Sequence, residues 1–363
     1  MNNENILSKI SKMSEEELID LARSTSDVET LNILAENENT SAVVLAMLAQ
    51  DKYWVVRYAV ARNENAPIEL LIVLAQDKHC WVRGAVAENE NTSADVLALL
   101  AKDKDCYVRK AVARNKNTPI ELLAILAQDT DWRVCIDVAE NKNTSIETLA
   151  MLAKDEDDDV RLAVANNRNT SADVLAILAK DEDNEVRSAV AENKNTPVEV
   201  LATFAKDKHE CVRRGVAYNE NTPDELLSVL AQDEDYTVRS AVAENKNTPV
   251  ALLTVLAKEE DIHVRSAVAE NINTPIELLF VLAQDKHWRV REQVAENEST
   301  SADVLAMLAK DVDDDVRSEV VRNKSTPIET LVFLSKDNNK QVNKEAKDAL
   351  KERKEKGRTN IER

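Results

Sequence analysis

A Val-Arg dipeptide recurs every 26 residues along most of this chain, and this period constrains the fold more than any other feature. The dipeptide is found at Val56-Arg57, Val82-Arg83 and Val108-Arg109, and a valine occupies the same position of every unit as far as Val342. No insertion separates the units. A fixed period of about 20 to 50 residues is typical of solenoids, in which each unit buries its apolar side only against its neighbours.

The period divides the chain into a repeat region and two terminal pieces. We expect an N-terminal cap at residues 1–29, a repeat solenoid at 30–341, and a charged C-terminal cap and tail at 342–363. Within the solenoid, residues 30–55 form a degenerate unit and residues 56–341 form eleven regular units. There is no linker and no second domain in this division.

Each unit has the residue pattern of two helices. With the head valine as position 0, the unit reads V-R-x-A-V-A-x-N-x-N-T-[PS]-x-E-x-L-x-x-L-A-x-D-x-D-x-x. Threonine at position 10, Pro or Ser at 11 and Glu at 13 predict a capping box with proline as the first helical residue. The long helix that follows has its apolar side at positions 15, 18 and 19. A shorter helix begins near the Asp at position 21 and buries positions 0, 3 and 4. An Asn at position 7, in the left-handed backbone conformation, ends this helix.

The composition favours an all-α fold and excludes several other classes. Three glycines and seven prolines are too few for a sheet-rich fold with many tight turns or for a Gly-rich phosphate loop. The apolar runs are far shorter than the roughly 20 residues that cross a bilayer. The start MNNENILSKISK has no apolar signal core, and the four cysteines lack paired spacing. We therefore expect a cytoplasmic protein in a reducing compartment.

The unit resembles a known repeat. Residues 56–77, VRYAVARNENAPIELLIVLAQD, are similar to the leucine-rich repeat variant family and to a shortened HEAT repeat, which shares the Asp-x-x-x-x-Val-Arg element. The resemblance implies an all-α, right-handed superhelical α-solenoid of about twelve two-helix repeats, each a long α-helix plus a short α or 3₁₀ helix. The units of that family are usually nearer to about 24 residues than to 26. Some members carry an iron–sulfur cluster on N-terminal cysteines, but the first cysteine here is Cys80, so we expect no cofactor.

The resemblance to HEAT repeats also implies a ladder of Arg–Asp pairs between neighbouring units. The residues that match it are Arg57, Arg83 and Arg109 with Asp77, Asp103 and Asp129. Cys135 interrupts the arginine row. We therefore expect a weaker stack near residue 135.

The rare aromatic and histidine residues concentrate at positions that vary between units. Positions 24, 25, 2 and 6 share one side of the second helix, opposite the buried valines, which we expect to be the concave surface of the stack. Aromatic side chains there indicate contact with a partner, although they could also fill space between units. The predicted partner-binding residues are Tyr53, Trp54, Tyr58, Trp81, Tyr107, Trp132, Tyr218, Tyr236, His263 and Trp288.

Charge is uneven along the same positions, which hold eight basic and thirteen acidic residues in the eleven units. The N-terminal third is aromatic and mildly basic, whereas residues 155–159, 181–185 and 311–315 are acidic. This pattern predicts an unknown protein or peptide partner with a basic segment flanked by apolar anchors. The acids could equally serve the dipoles of the helices that they begin. The net charge of −20 argues against a general nucleic-acid or membrane partner.

The predicted function is a non-catalytic scaffold that binds a protein or peptide. No Ser/His/Asp or Cys/His arrangement follows from the spacing, and Cys80 and Cys106 are a full helix spacing apart, too far to share a zinc ion. We therefore expect no catalytic residue and no metal site. The alternative is a nucleic-acid-binding or HEAT-like base-repair protein that uses the N-terminal aromatic and basic patch. A third possibility is recent duplication of a unit without selection on any surface.

Overall fold

The computed structural model describes residue 10 and residues 12–359, the last five of these by their backbone alone. The rest of the predicted N-terminal cap and charged tail lies outside the described residues. In the described part there are 26 α-helices and no strands, so the predicted all-α solenoid is confirmed. These residues form two compact units, divided between Leu178 and Ala179. None of the described helices is both long enough and apolar enough to cross a bilayer.

The first helix is α1 (Glu15–Ser24) and the last is α26 (Lys340–Thr359). From α2 to α25, helices of nine residues alternate with helices of seven residues. The nine-residue helices are α2 (Val28–Glu36), α4 (Trp54–Arg62), α6 (Cys80–Glu88), α8 (Cys106–Arg114), α10 (Trp132–Glu140), α12 (Asp158–Asn166), α14 (Asn184–Glu192), α16 (Glu210–Tyr218), α18 (Tyr236–Glu244), α20 (Ile262–Glu270), α22 (Trp288–Glu296) and α24 (Asp314–Arg322). The seven-residue helices are α3 (Ala42–Leu48), α5 (Ile68–Leu74), α7 (Ala94–Leu100), α9 (Ile120–Leu126), α11 (Ile146–Leu152), α13 (Ala172–Leu178), α15 (Val198–Phe204), α17 (Asp224–Leu230), α19 (Val250–Leu256), α21 (Ile276–Leu282), α23 (Ala302–Leu308) and α25 (Ile328–Leu334).

The relative lengths of the two helices were predicted wrongly. The helix that contains Val-Arg is the longer one and is α-helical throughout, and it begins three residues after the Asp at position 21. An Asp at position 23 caps it, as where the Tyr107 N–H donates to Asp105 Oδ1 at 3.0 Å. The helix after Pro or Ser is shorter because its last turn tightens. The N–H groups of Lys102 and Asp103 bond three residues back, a 3₁₀ pattern.

Threonine at position 10 does not cap the helix that follows it. Pro or Ser at position 11 is the residue that precedes the first turn, and the threonine hydroxyl points back to the preceding helix. Thr118 is buried, and its Oγ1 donates to the carbonyl of Val112 at 2.6 Å. The conserved pattern within the chain therefore joins the two helices of a repeat instead of forming a capping box. A capping box is present at α1, between Ser14 and Glu17.

Asparagine at position 7 ends the nine-residue helix in an extended conformation, not in the predicted left-handed one. Asn115 has φ −64° and ψ 125°, and no described residue has a positive φ. Its side-chain Nδ2 donates to the carbonyls of Ala87 and Asn89 in the preceding repeat, at 2.7 and 3.1 Å. Its Oδ1 accepts the N–H of Asn117 at 2.8 Å. The low glycine content follows because this turn needs a hydrogen-bonding side chain and no left-handed residue.

The Arg–Asp pairs implied by the HEAT resemblance are present, but each pair joins two residues of one unit, and the arginine reaches the preceding unit through a backbone carbonyl. Arg83 pairs with Asp103 through two bonds, Nε–Oδ2 at 2.5 Å and Nη2–Oδ1 at 2.8 Å, and its Nη1 donates to the carbonyl of Asp77. At Cys135 the ladder is interrupted, and the thiol lies 3.6 Å from the carbonyl oxygen of Asp129. The described Arg–Asp pairs are Arg57–Asp77, Arg83–Asp103, Arg109–Asp129, Arg187–Asp207, Arg213–Asp233, Arg265–Asp285, Arg291–Asp311 and Arg317–Asp337.

The core is built from the positions that the pattern predicts. Valines at positions 0 and 4 and leucines at 15 are fully buried, as are alanines at position 5, for example Val108, Val112, Leu123 and Ala113. Within each compact unit, the closest packing between repeats is that of nine-residue helices against each other. Small alanines allow this approach. The side chains at positions 24, 25, 2 and 6 therefore lie along the side of the stack where repeats are closest.

The last helix, α26, supplies hydrogen-bond donors to the final asparagine turn, at residues 323–326. The Arg353 guanidinium donates to the carbonyls of Asn323, Lys324 and Thr326. In the repeat at residues 82–107, the carbonyls of Asn89 and Glu90 accept from Asn115 and Asn117 of the next repeat. Arg353 therefore supplies the donors that a further repeat would have supplied. The boundaries of the two predicted caps remain predictions.

Candidate partner-binding face

Two aromatic clusters lie on the nine-residue helices of the first compact unit. Trp54, the first residue of α4, stacks on the ring of His79 at 4.2 Å with the planes parallel. Tyr58 stands one turn further along and meets Trp54 edge-on at 6.3 Å. The ring of Tyr53 lies beneath the ammonium of Lys52, 4.8 Å away. Because Trp54 remains 38% exposed, the stack presents ring surface to solvent.

The second cluster joins Trp81 and Tyr107, whose rings are 4.3 Å apart. A Cβ atom on Gly84 would lie 2.2 Å from the Tyr107 ring, so this glycine leaves the space that the ring fills. Burial raises the pKa of the Tyr107 hydroxyl to about 12. Trp81 is 46% exposed. Tyr107 therefore supports the cluster by packing between repeats, and Trp81 offers the open ring.

The basic residues beside these clusters are largely neutralised. Arg114 Nε donates to Asp137 Oδ1 at 2.8 Å, and Lys110 Nζ lies 3.9 Å from Asp137 Oδ2. Arg133, next to the exposed Trp132, pairs with Asp131 at 2.7 Å, and this bond lowers the pKa of the Asp131 carboxyl well below its usual range. The formal positive charge of this patch therefore overstates what it offers to an anionic ligand.

Asp137 is itself unusual, because alanine stands at this position in most repeats. It is only 2% exposed, and its Oδ2 has no hydrogen-bond partner. Burial raises the pKa of the carboxyl, although the bond from Arg114 opposes that rise. The same repeat carries Cys135 in place of arginine, so its departures from the common pattern cluster on one helix, α10.

Exposed acids follow the aromatic clusters within the same compact unit. Glu140, Asp158 and Asp159 are all exposed, at positions 6, 24 and 25. Asp158 and Asp159 also occupy the first turn of α12, where negative charge favours the helix dipole. Along the nine-residue helices, the surface thus changes from aromatic at α4 to α8 to acidic at α12.

The second compact unit carries a smaller aromatic group. Tyr236 and His263 come from adjoining repeats and their rings are 5.6 Å apart. Trp288 is half-buried beside His287, with ring centres 6.0 Å apart. Part of the Tyr218 ring is exposed. Partial burial, and to a lesser extent the nearby charge of Glu244, raises the pKa of its hydroxyl to about 12.

His79 and Gly84 belong to the aromatic clusters, Asp137 pairs with the basic residues beside them, and none of the three was among the predicted residues. A sequence signal exists for His79, because it follows Trp54 by 25 residues, close to one full period. Residues one period apart lie side by side on adjoining helices. Asp137 is marked by the loss of alanine at its position. Among the described residues, no group of three His, Cys, Asp or Glu side chains is placed to hold a metal ion.

The comparisons with known proteins concern single repeats and the fold. The profile of the leucine-rich repeat variant family matches residues 108–131. A search among curated proteins finds no match. A solved structure described as a leucine-rich repeat variant with a novel repetitive structural motif is 28% identical, with a TM-score of 0.44, over 62% of this chain and 88% of that one.

Two other solved structures are more distant. An engineered protein is 20% identical over 93% of this chain and 98% of its own, with a TM-score of 0.26. Kap121p, solved bound to Pho4p, is 12% identical over 92% of this chain and 45% of its own, with a TM-score of 0.33.

The unit at residues 108–131 shares the head valine, the buried asparagine and the paired leucines with both of its neighbours, and it shares the Arg–Asp pair with the preceding one. The profile matches this one unit, and the predicted resemblance to the family is confirmed. The chain is an α-solenoid, and its unit at residues 108–131 is similar to the repeat of the leucine-rich repeat variant family.

Proposed function

We propose that the protein is a non-catalytic scaffold that binds a peptide segment along the nine-residue helices of its first compact unit. The observation that carries the proposal is the pair of aromatic clusters, Trp54 with His79 and Trp81 with Tyr107, each formed by rings from adjoining repeats. Exposed tryptophan held by a packed neighbour is the kind of anchor that dominates binding energy at interfaces.

The partner that fits this face has apolar anchors followed by basic residues. The anchors would meet the tryptophan rings, and the basic residues would meet Glu140, Asp158 and Asp159 two to three repeats further on. Tyr53, Tyr58 and Trp132 extend the aromatic part of the same face. The residues Tyr218, Tyr236, His263 and Trp288 form a separate candidate contact in the second compact unit.

Nucleic-acid binding has weaker support. A phosphate-binding patch needs basic groups free to replace counterions. Arg114 and Arg133 are instead paired with Asp137 and Asp131. Arg62 lies over the Tyr58 ring at 5.8 Å and, within the described residues, is not paired with a carboxylate. It is therefore the basic group of the patch that a phosphate would reach first.

Selection of a random peptide display library on the intact protein tests the proposal. We expect enrichment of peptides with aromatic or aliphatic residues followed by Lys or Arg. Trp81→Ala should weaken binding of a selected peptide about tenfold or more. Val73→Ala, an exposed apolar residue on the seven-residue helix α5, is the matched control and should leave affinity unchanged.

The charge preference has its own matched pair of variants. Asp158→Asn/Asp159→Asn should reduce the preference for basic residues, whereas Asp314→Asn/Asp315→Asn, the equivalent positions of another repeat, should not. Enrichment independent of Trp54 and Trp81 would contradict the proposal. Tight, salt-sensitive binding of duplex DNA that is lost in Trp54→Ala/Arg62→Ala would favour the nucleic-acid alternative instead.

A further inference from the structure

An exposed apolar row runs along the seven-residue helices, away from the aromatic clusters. Position 17 is apolar in ten of the eleven regular units, with Thr203 as the exception. In the second compact unit the row includes Val281 and Phe333, which are 59% and 52% exposed, and Phe280, next to Val281 in sequence, is 50% exposed. Two of the three phenylalanines in the protein are therefore at the surface. Apolar residues aligned in this way mark an interaction site more often than scattered ones do.

Charged residues border this row on both sides. In α21, α23 and α25 an exposed acid lies one turn before the apolar residue, and an exposed Gln or Lys lies two residues beyond the end of the helix. The spacing i, i+4, i+7 places all three along one side of each helix. The outer patch, as we name this side of the three helices, comprises Glu277, Asp303 and Glu329, then Phe280, Val281, Met307, Val332 and Phe333, then Gln284, Lys310 and Lys336.

The helix dipole accounts for the charges of the outer patch but not for its centre. Acids at the start of a helix and lysines at its end are favourable in any isolated helix. Two half-exposed phenylalanines gain nothing from the dipole, and in solution they cost hydration free energy. An apolar centre with a polar border is the arrangement found in protein–protein interfaces.

We propose that the outer patch binds the outer patch of a second copy of this chain, about a two-fold axis parallel to the stack of helices. Each helix would then lie antiparallel to the same helix of the second copy. Asp303 would face Lys310 of the second copy, and Glu329 would face its Lys336. The phenylalanines would meet their own counterparts in the centre, as an isologous interface requires.

Charge selects this axis over the other possible one. A two-fold axis parallel to the helices would also bring the patch onto itself, but it would place acids on acids and lysines on lysines. Like charges directly opposed across an interface are unfavourable. Beside Phe333, a cavity of about 450 Å³ is lined by Lys310 and Lys336 among others, so a facing side chain has space to enter.

Sedimentation velocity on the full chain over a range of concentrations tests the proposal. We expect the wild-type protein to dimerise in a concentration-dependent way. Lys310→Glu/Lys336→Glu makes the polar borders largely acidic, and Asp303→Lys/Glu329→Lys makes them largely basic. Each double variant alone should raise the dimer dissociation constant about tenfold or more. An equimolar mixture of the two should restore association, because every changed residue then faces an opposite charge.

Controls separate this result from misfolding and from general charge effects. The changed residues are exposed, and circular dichroism melting should show the wild-type transition. Asp314→Lys/Asp315→Lys, on the nine-residue helix α24, should leave dimerisation unchanged. Phe280→Ser/Phe333→Ser should abolish it. A monomer at all concentrations, or association that the mixture does not restore, would overturn the proposal, and neither result bears on peptide binding at the aromatic clusters.

Discussion

The buried asparagine that ends each nine-residue helix bonds to several backbone groups at once. Asn115 donates to two carbonyls of the preceding repeat and accepts one N–H of its own turn. Aspartate would lose the donors, and serine would not reach both carbonyls. This explains why the residue is invariant among the regular units, although neighbouring surface positions vary freely.

Removal of this asparagine side chain should lower the stability of the folded chain. Asn115→Ala leaves the carbonyls of Ala87 and Asn89 buried without their donor, so we expect the free energy of unfolding to fall by about 2–3 kcal/mol. Urea denaturation followed by circular dichroism measures the change. Asn117→Ala removes a single exposed bond, to the carbonyl of Glu90, and should cost about 1 kcal/mol or less. Equal losses for the two variants would contradict this assignment.

At the scale of the element, the Arg–Asp pair fixes the connection between one seven-residue helix and the nine-residue helices on either side of it. Asp103 accepts two bonds from Arg83, and its Oδ1 also accepts the N–H of Asp105. Burial alone would raise the pKa of Asp103, but these bonds and the charge of Arg83 together hold it below its usual value. The pKa of Asp77, Asp207, Asp285, Asp311 and Asp337 is lowered in the same way.

The lowered pKa values predict a direction for acid unfolding. A carboxyl whose pKa is lower in the folded chain stabilises it above the unfolded value of about 4, and this contribution is lost as pH falls through the folded pKa. We therefore expect the melting temperature to fall steeply below about pH 4. Arg83→Met should flatten this dependence as well as lowering stability. An unchanged pH profile in that variant would show that the pair does not carry the effect.

Element length was harder to predict than element position. The valines, leucines and alanines of the core can be predicted from periodicity alone, because the same positions of every repeat face the interior between stacked helices. Where positions 21 and 23 are both aspartate, as at Asp103 and Asp105, the start of the nine-residue helix depends on which of the two acts as the cap. The role of Thr118 depends on which of two helices its hydroxyl reaches. Ring pairs such as Trp54 with His79 depend on the register of adjoining repeats, which only the packing determines.

At the scale of the whole molecule, the hydrogen bonds described above join residues that are close in sequence. The widest of these separations, between Arg353 and Asn323, is 30 residues. Each repeat is therefore held by its immediate neighbours, and stability is close to a sum of repeat and junction contributions. A weakness in one junction should remain a local weakness.

The repeat at residues 134–159 should be such a weak point in the first compact unit. It lacks the ladder arginine and buries Asp137, whose raised pKa indicates an unfavourable charge. We expect amide hydrogen exchange in α10 to be about fivefold or more faster than in α6 or α8. Cys135→Arg, which supplies a partner for Asp155, should narrow the difference. Uniform exchange across the three helices would contradict this expectation.

The identical junctions also bear on how such a chain changes over generations. Since each repeat offers one side to the repeat before it and the matching side to the repeat after it, unequal recombination that adds or deletes one whole unit leaves every remaining junction intact. Partial units would misalign the asparagines and arginines and would be eliminated. The length of the array can therefore vary between relatives in whole steps, while new surface residues accumulate in copies whose folding is already secured.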